Sequence, residues 1–320
     1  MRQIEIRWPV LDGTRVRVDL DEVNNADLVE PLWRSLPYRT LQGHALVAGD
    51  CLYHVPPAHG LVQAVPDRRV DRQAAPNGTV FCSAVQHLTI KYGALTEPMP
   101  AAPIGRVWDS DLPVLRQVGQ AVWDSLHGRG EPIIAEVCRL DQPAGHDVYQ
   151  HPCISERAAS LVATIAEMSK SVLVEPPDEL VRLHQGHRMS DAGSRGSVLT
   201  TLVFVNGETR PLGYMTYTAL ARAAKQTDIS LDSLCEMARM LLVKPSEFLG
   251  YCGLSPLWAA TEEVVDILSR DIERPDFVAL MEQMALYVNA LGAWNLQLFP
   301  WELAPQQWTY RSMREAPAHV

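Results

Sequence analysis

The stretch IEIRWPVLDGTRVRVDL, residues 4–20, alternates apolar and polar side chains on both sides of a short central turn. Alternation with a period of two is typical of β-strands that bury one face. The LDGT segment supplies the residues that join two antiparallel strands in a hairpin. The stretch therefore predicts a β-hairpin as the first unit of the fold.

Further strands and two helices are predicted after this hairpin. The helices are NNADLVEPLWRSLP (24–37) and DLPVLRQVGQAVWDSLHGRG (111–130), the second capped by Asp111 and ended by Gly128. The strand segments are HALVAGDCLYHVPP (44–57), NGTVFCS (77–83), HLTIKYG (87–93), APIGRVWD (102–109) and PIIAEVCRL (132–140). Two helices are too few to cover both faces of a parallel sheet. The pattern therefore favours a closed antiparallel β-barrel plugged by two helices.

The second half of the chain is dominated by helical periodicity. The candidate helices are SERAASLVATIAEMSKS (155–171), YMTYTALARAAKQ (214–226), SLDSLCEMARMLL (230–242), LWAATEEVVDILSRDI (257–272) and RPDFVALMEQMALYVNALG (274–292). The segment 184–197 is rich in Gly and Ser and predicts a loop. The predicted organisation is α+β, with a barrel domain at 1–140, a linker at 141–154 and an all-α bundle at 155–320.

Composition and charge restrict the class of protein. The 320 residues carry a net charge of −10, which argues against a nucleic-acid partner because phosphate backbones require a basic surface. Six cysteines without C-x-x-C spacing indicate reduced thiols. The first residues lack the apolar run of a signal peptide, and no apolar stretch is long enough to span a bilayer. We expect a soluble cytoplasmic protein without a membrane partner, and a homodimer as the default assembly.

Several cofactor motifs are absent from the sequence. No G-x-G-x-x-G fingerprint follows a predicted strand, and neither a P-loop nor a G-x-S-x-G elbow occurs. His184 and His187 have a spacing that suits a metal, but no third ligand accompanies them, so a polar loop is favoured. We predict neither a nucleotide cofactor nor a metal site.

Two histidines lie on predicted strands, and each has a structural and a functional interpretation. His87, Thr89 and Lys91 alternate with apolar residues, so they share one face of their strand. That face is either solvated or the surface on which a reaction takes place. His44, at the start of another strand, is either a structural histidine or a general acid–base, because imidazole titrates near neutral pH.

Both halves of the chain resemble one family of enzymes. In the first half, residues 4–37, 43–57, 75–93 and 115–137 are similar to the small bacterial cyclophilin-like domains. In the second half, ISLDSLCEMARMLLVKPSEFLGYCGLSPLW (229–258) and FVALMEQMALYVNALGAWNLQLFPW (277–301) resemble the helical bundle of cucumopine and mikimopine synthases. The Arg, Phe and Gln motifs of peptidyl-prolyl isomerases are not visible.

The resemblance implies a particular reaction. Those synthases join the amine of L-histidine to the ketone of 2-oxoglutarate and close a ring through an imidazole carbon. This Pictet–Spengler cyclisation needs neither hydride nor metal, so no cofactor is implied. A binding protein for a small anion, and a hydrolase or lyase acting on a cyclic amide, stay open as alternatives, since a fold alone does not establish function.

Residue type and predicted location select the candidate site residues. His44 or His87 would shuttle the proton, with Glu97 or Tyr53 assisting, and an imine on Lys91 is a variation. The keto acid has two carboxylates, which require basic partners. The candidates for substrate binding are Arg39, Lys91, Arg106, Trp108 and Trp294, of which Trp294 is favoured as core packing over a cavity wall.

Overall fold

The computed structural model describes residues 1–83, 85–141, 152–187, 198–270 and 272–301. Its strands are β1 Gln3–Trp8, β2 Thr14–Leu20, β3 Tyr38–Leu41, β4 Gly43–His44, β5 Gly49–His54, β6 Val70–Asp71, β7 Thr79–Cys82, β8 Leu88–Leu95, β9 Pro100–Val107 and β10 Ile134–Arg139. Its helices are α1 Ala26–Arg34, α2 Leu112–Leu126, α3 Glu156–Val174, α4 Asp178–His184, α5 Val198–Pro211, α6 Thr218–Ala223, α7 Leu231–Tyr251, α8 Ser255–Leu268 and α9 Arg274–Leu298.

The strands form one antiparallel sheet that is nearly closed into a barrel. Neighbouring strands follow the order β3-β10-β1-β2-β9-β7-β8-β5-β4, with β6 paired to β9 outside this path. The two end strands, β3 and β4, are separated in the chain by Gln42 alone. The Gln42 backbone N–H donates to the carbonyl of Ile133 at 2.8 Å, and its side-chain amide donates to the carbonyl of Tyr53 at 2.8 Å. Gln42 therefore joins the two edges, and the predicted barrel is confirmed.

The barrel interior is filled by the apolar side chains that alternate along its strands. The hairpin β1–β2 contributes Ile4, Ile6, Val16 and Val18, all fully buried. Helices α1 and α2 pack against this core, as predicted. The prediction for Asp111 is corrected in one detail. Asp111 precedes α2, but its carboxylate makes no cap and instead accepts hydrogen bonds from Arg17, since a guanidinium binds a carboxylate more strongly than a backbone N–H does.

The second half is helical, and α9 lies at its centre. Almost every residue of α9 is buried, and the helix packs on α3 and α5. All five predicted helices are present, whereas α4 and α5 were not predicted. Helix α5 continues through a π-helical turn, Leu212–Tyr217, into α6. Residues 142–151 and 188–197 lie outside the described residues, so the linker, the domain limits and most of the loop at 184–197 stay predictions.

Polar side chains of α9 connect the helical half to the barrel. Glu282 accepts hydrogen bonds from the Gly60 backbone at 2.9 Å and from the Gln63 amide at 2.8 Å. Further along the helix, Asn289 donates to Gln86 at 3.0 Å. These contacts hold the helical half against one side of the barrel. Among the described residues, no helix has the length and apolar character needed to cross a membrane.

Candidate active site

The side of the barrel that faces the helical half is formed by strands β5 and β8. In the antiparallel register, Tyr53 lies opposite Thr89, and Cys51 lies opposite Lys91. Ile90, between those two β8 residues, points into the barrel core, so its neighbours point outward. We use the term β5–β8 face for the outward side chains of Cys51, Tyr53, His87, Thr89 and Lys91.

One end of the β5–β8 face is aromatic. The His87 ring lies between two tyrosines, with ring centroids 4.7 Å from Tyr53 and 4.8 Å from Tyr214. His87 Nε2 is 3.1 Å from the Tyr214 hydroxyl. The Arg210 guanidinium lies over the Tyr214 ring, 5.5 Å from its centroid. Tyr214 is in the π-helical turn after α5, so the helical half covers this end of the face.

These aromatic groups are uncharged at neutral pH. Burial, together with the positive charge of Arg210, lowers the pKa of His87 to about 3. Burial also raises the pKa of Tyr53 and of Tyr214 above the ordinary value for a phenol. Because His87 is neutral and Tyr214 keeps its proton, the hydroxyl can donate to the ring nitrogen. His87 therefore lines this end of the face as a neutral ring, which disfavours it as a source of protons.

The other end of the β5–β8 face is charged. The ammonium of Lys91 donates to the backbone carbonyls of Arg72 at 3.1 Å and Gln73 at 2.5 Å. The Arg72 side chain, only 14% exposed, donates to the Glu97 carboxylate at 2.9 Å. Arg72 also faces the Cys51 thiol, whose pKa is raised to about 11 by burial. The loop that carries Arg72 thus covers this end as the helices cover the other.

The two ends of the β5–β8 face are separated along strand β8. His87, directly before β8, and Lys91 on β8 are four residues apart, and four residues of a strand span about 13 Å. Thr89 lies between them, opposite Tyr53. The β5–β8 face therefore has an aromatic wall at one end and, at the other, cations beside the half-buried carboxylate of Glu97. This combination suits the binding of an aromatic amine and the removal of a proton from it.

Comparison with known proteins identifies the family. The family model of the cucumopine synthase C-terminal helical bundle domain matches residues 158–298. A solved structure described as McbB in complex with tryptophan is 40% identical, covers 94% of this chain and 98% of its own, and superposes with a TM-score of 0.89. The chain belongs to the cucumopine synthase-like enzymes. It is a Pictet–Spengler-type cyclase, which confirms the family and the reaction class expected from the sequence.

Two other comparisons add little. The solution structure of the hypothetical protein AF2241 from Archaeoglobus fulgidus covers 43% of this chain and 94% of its own at 15% identity, and its TM-score of 0.30 supports no conclusion. The search of curated proteins gives no match.

The structure of this cyclase does not bring His44 to the β5–β8 face. His44 pairs with Leu52, which points into the barrel. Its Nε2 lies 2.6 Å from the Tyr92 hydroxyl, its Nδ1 lies 2.8 Å from the carbonyl of Ala45, and its ring contacts Trp123 of α2. Burial lowers the pKa of His44 as well. These contacts favour the structural interpretation of this histidine.

Four candidate substrate-binding residues also lie elsewhere. Arg39 pairs with Glu136 at 3.2 Å on β3 and β10, and its side chain is 61% exposed. Arg106 pairs with Asp109 at 3.0 Å beside an open surface cleft. Trp108 donates to Asp19 at 2.9 Å.

The fourth candidate, Trp294, is buried in the helical core. Its indole N–H donates to the carbonyl of Val172 at 2.6 Å, which agrees with the favoured interpretation as core packing. Of the candidates from the sequence, Tyr53, His87 and Lys91 therefore lie on the β5–β8 face, and Glu97 is paired with Arg72 beside its charged end.

Three residues of the site were not found from the sequence. Arg72 lies in a long loop that shows no sequence pattern. Arg210 lies where no helix was predicted, and Tyr214 is the first residue of a predicted helix. If α5 had been predicted as a helix, Arg210 and Tyr214 would have been placed side by side, because residues four apart on a helix are neighbours.

Proposed function

We propose that this enzyme joins the amine of an aromatic amino acid, L-histidine or L-tryptophan, to the ketone of a keto acid such as 2-oxoglutarate on the β5–β8 face. The observation that carries the proposal is the Glu97 carboxylate, held by Arg72 at one end of a face whose other end is aromatic. The tryptophan complex of McbB supports an aromatic amino acid. The resemblance to the cucumopine synthases supports histidine and a keto acid.

The reaction proceeds through an iminium ion. The amine adds to the ketone, and the resulting carbinolamine loses its hydroxyl group as water to give the iminium. A carbon of the aromatic ring then attacks the iminium carbon and forms the new carbon–carbon bond. The proton on the attacked ring carbon leaves to a base, which restores aromaticity. The product equals the two substrates less one water.

We assign the role of the base to Glu97. A positioned carboxylate can accept the ring proton, and the contact with Arg72 fixes its orientation. Glu97 also places a negative charge where the iminium develops a positive one. Lys91 donates to two backbone carbonyls, which favours a fixed cation over an amine that forms an imine with the keto acid.

The reaction is tested by incubating the enzyme with L-tryptophan or L-histidine and 2-oxoglutarate, without any added cofactor. Mass spectrometry should detect the sum of the substrates less one water, formed faster than in buffer. Borohydride treatment distinguishes the outcomes, since it reduces an open imine but leaves the cyclised amine unchanged. A product that is entirely reducible, or no product above the buffer rate with either amino acid, would contradict the proposal.

Replacement of the base tests the assignment of Glu97. We expect Glu97→Gln to lower the rate of ring closure by about 10²–10⁴, the usual contribution of one positioned proton transfer. Glu136→Gln is the matched control, because Glu136 pairs with Arg39 on another side of the barrel. Equal rates for the two variants would show that Glu97 is not the base.

A further inference from the structure

Arg210 is the cation at the aromatic end of the β5–β8 face. It lies in the last turn of α5, one turn before Tyr214, and its guanidinium lies over the Tyr214 ring. The stem of Arg210 passes next to Gly292 of α9. The side chain is exposed, so a ligand that enters the face can reach it.

Arg210 differs from Arg72 in that no carboxylate of the described residues neutralises its charge. Arg72 is paired with Glu97 at 2.9 Å, whereas no carboxylate of the described part of the chain lies within ion-pair distance of Arg210. The charge of Arg210 nevertheless acts on the aromatic end of the face, since it contributes to the lowered pKa of His87 and opposes the rise in the pKa of Tyr53. An unbalanced guanidinium beside a half-buried aromatic wall is suited to bind an anion.

We infer that Arg210 binds the α-carboxylate of the aromatic amino acid substrate. This inference rests on the proposed function and adds the group that orients the substrate. The new ring contains the amine nitrogen, the α-carbon and the attacked ring carbon, so the α-carboxylate lies only a few bonds from the reacting atoms. Anchoring the carboxylate at Arg210 therefore fixes where the amine and the attacked ring carbon lie on the β5–β8 face. The planar guanidinium can bind both carboxylate oxygens at once, which fixes orientation as well as position.

The inference is tested by comparing amino acids with the amines that lack their carboxylate. Calorimetric titration measures the binding of L-tryptophan and tryptamine, and of L-histidine and histamine, to the wild-type enzyme without keto acid. We expect the substrate amino acid to bind about 10- to 100-fold more tightly than the corresponding amine, which is the usual effect of a charged hydrogen-bonded pair. Arg210→Gln should abolish this ratio by weakening the amino acid and sparing the amine.

Two controls make the outcomes distinct. Arg116→Gln removes an exposed arginine from α2, away from the face, and should keep the wild-type ratio. Arg210→Lys keeps the charge without the planar fork and should recover part of the ratio. If Arg210→Gln keeps the wild-type ratio while adduct still forms, the inference is overturned and the proposed function stands. If neither amino acid binds to the wild-type enzyme and no adduct forms, both are overturned.

Discussion

Two histidine–tyrosine pairs in this molecule have similar local chemistry and different surroundings. His44 lies 2.6 Å from the Tyr92 hydroxyl, and His87 lies 3.1 Å from the Tyr214 hydroxyl. Each imidazole also meets a second aromatic ring, Trp123 for His44 and Tyr53 for His87. In each pair, burial lowers the pKa of the histidine.

The two pairs differ in what covers them and in the nearest charge. His44 is covered by α2, a helix of the same half of the chain, and the carboxylate of Asp50 favours its protonation. His87 is covered by the helical half, and Arg210 opposes its protonation. A contact between a histidine and a tyrosine is therefore not enough to indicate an active site. The candidate site lies where the outer surface of the barrel meets the second half.

Two glycines pack against these tyrosine rings, so substituting each glycine disturbs the surroundings of one histidine at a time. A Cβ at Gly43 would lie 2.7 Å from the ring of Tyr53, and a Cβ at Gly119 would lie 2.4 Å from the ring of Tyr92. We expect Gly43→Ala to push Tyr53 into the site and to lower the cyclisation rate about 100-fold, since small misplacements have effects of that size. Gly119→Ala should instead lower the free energy of unfolding by about 1–3 kcal/mol through overpacking.

Both variants are assayed for cyclisation rate per folded molecule and for unfolding in urea. Gly119→Ala should keep a rate close to wild type, because Tyr92 lies away from the β5–β8 face. A large loss of rate in Gly119→Ala with little loss in Gly43→Ala would reverse our assignment of the two pairs.

The helical cover over His87 should respond to pH through Glu282. This carboxyl group is buried against Gly60 and Gln63, and burial raises its pKa to about 7. Because the folded-state pKa exceeds the unfolded one, the stabilisation is complete below about pH 4.5 and is lost as the pH rises through 7. Between pH 5 and 7 the wild-type protein should lose about 2 kcal/mol of unfolding free energy relative to Glu282→Gln.

Urea unfolding at several pH values between 4.5 and 8 measures this difference. The control is Glu262→Gln, which removes an exposed carboxylate from α8 and should follow the wild-type curve. Parallel curves for the wild type and Glu282→Gln would show that Glu282 does not couple pH to stability.

The smallest expected effect concerns the order in which the two histidines titrate. As the pH falls, His44 should take up a proton before His87, because Asp50 favours the His44 cation and Arg210 disfavours the His87 cation. NMR of ring-labelled histidines follows both groups. Asp50→Asn should lower the pKa of His44, and Arg210→Gln should raise that of His87. Protonation of His87 first would contradict this electrostatic difference.

Much of the barrel could be predicted because the apolar and polar residues of its strands alternate along the sequence. Residues 4–20 alternate strictly, so the hairpin and its buried face follow from the sequence. The same alternation placed His87, Thr89 and Lys91 on one side of β8. Helix α5 could not be predicted, because VLTTLVFV (198–205) is rich in β-branched residues that favour strands. Packing against α9 overrides this propensity.

The sequence by itself determined the barrel, its two plugging helices, most of the bundle and the family of cyclases. It could not decide between His44 and His87, since both occur on strands with similar neighbours. The tertiary structure distinguishes their surroundings, because Tyr214 and Arg210 reach His87 from more than 120 residues away. It also placed Arg72 beside Glu97 through a loop without any local pattern. Contacts between distant residues depend on how the elements pack, and no local periodicity encodes them.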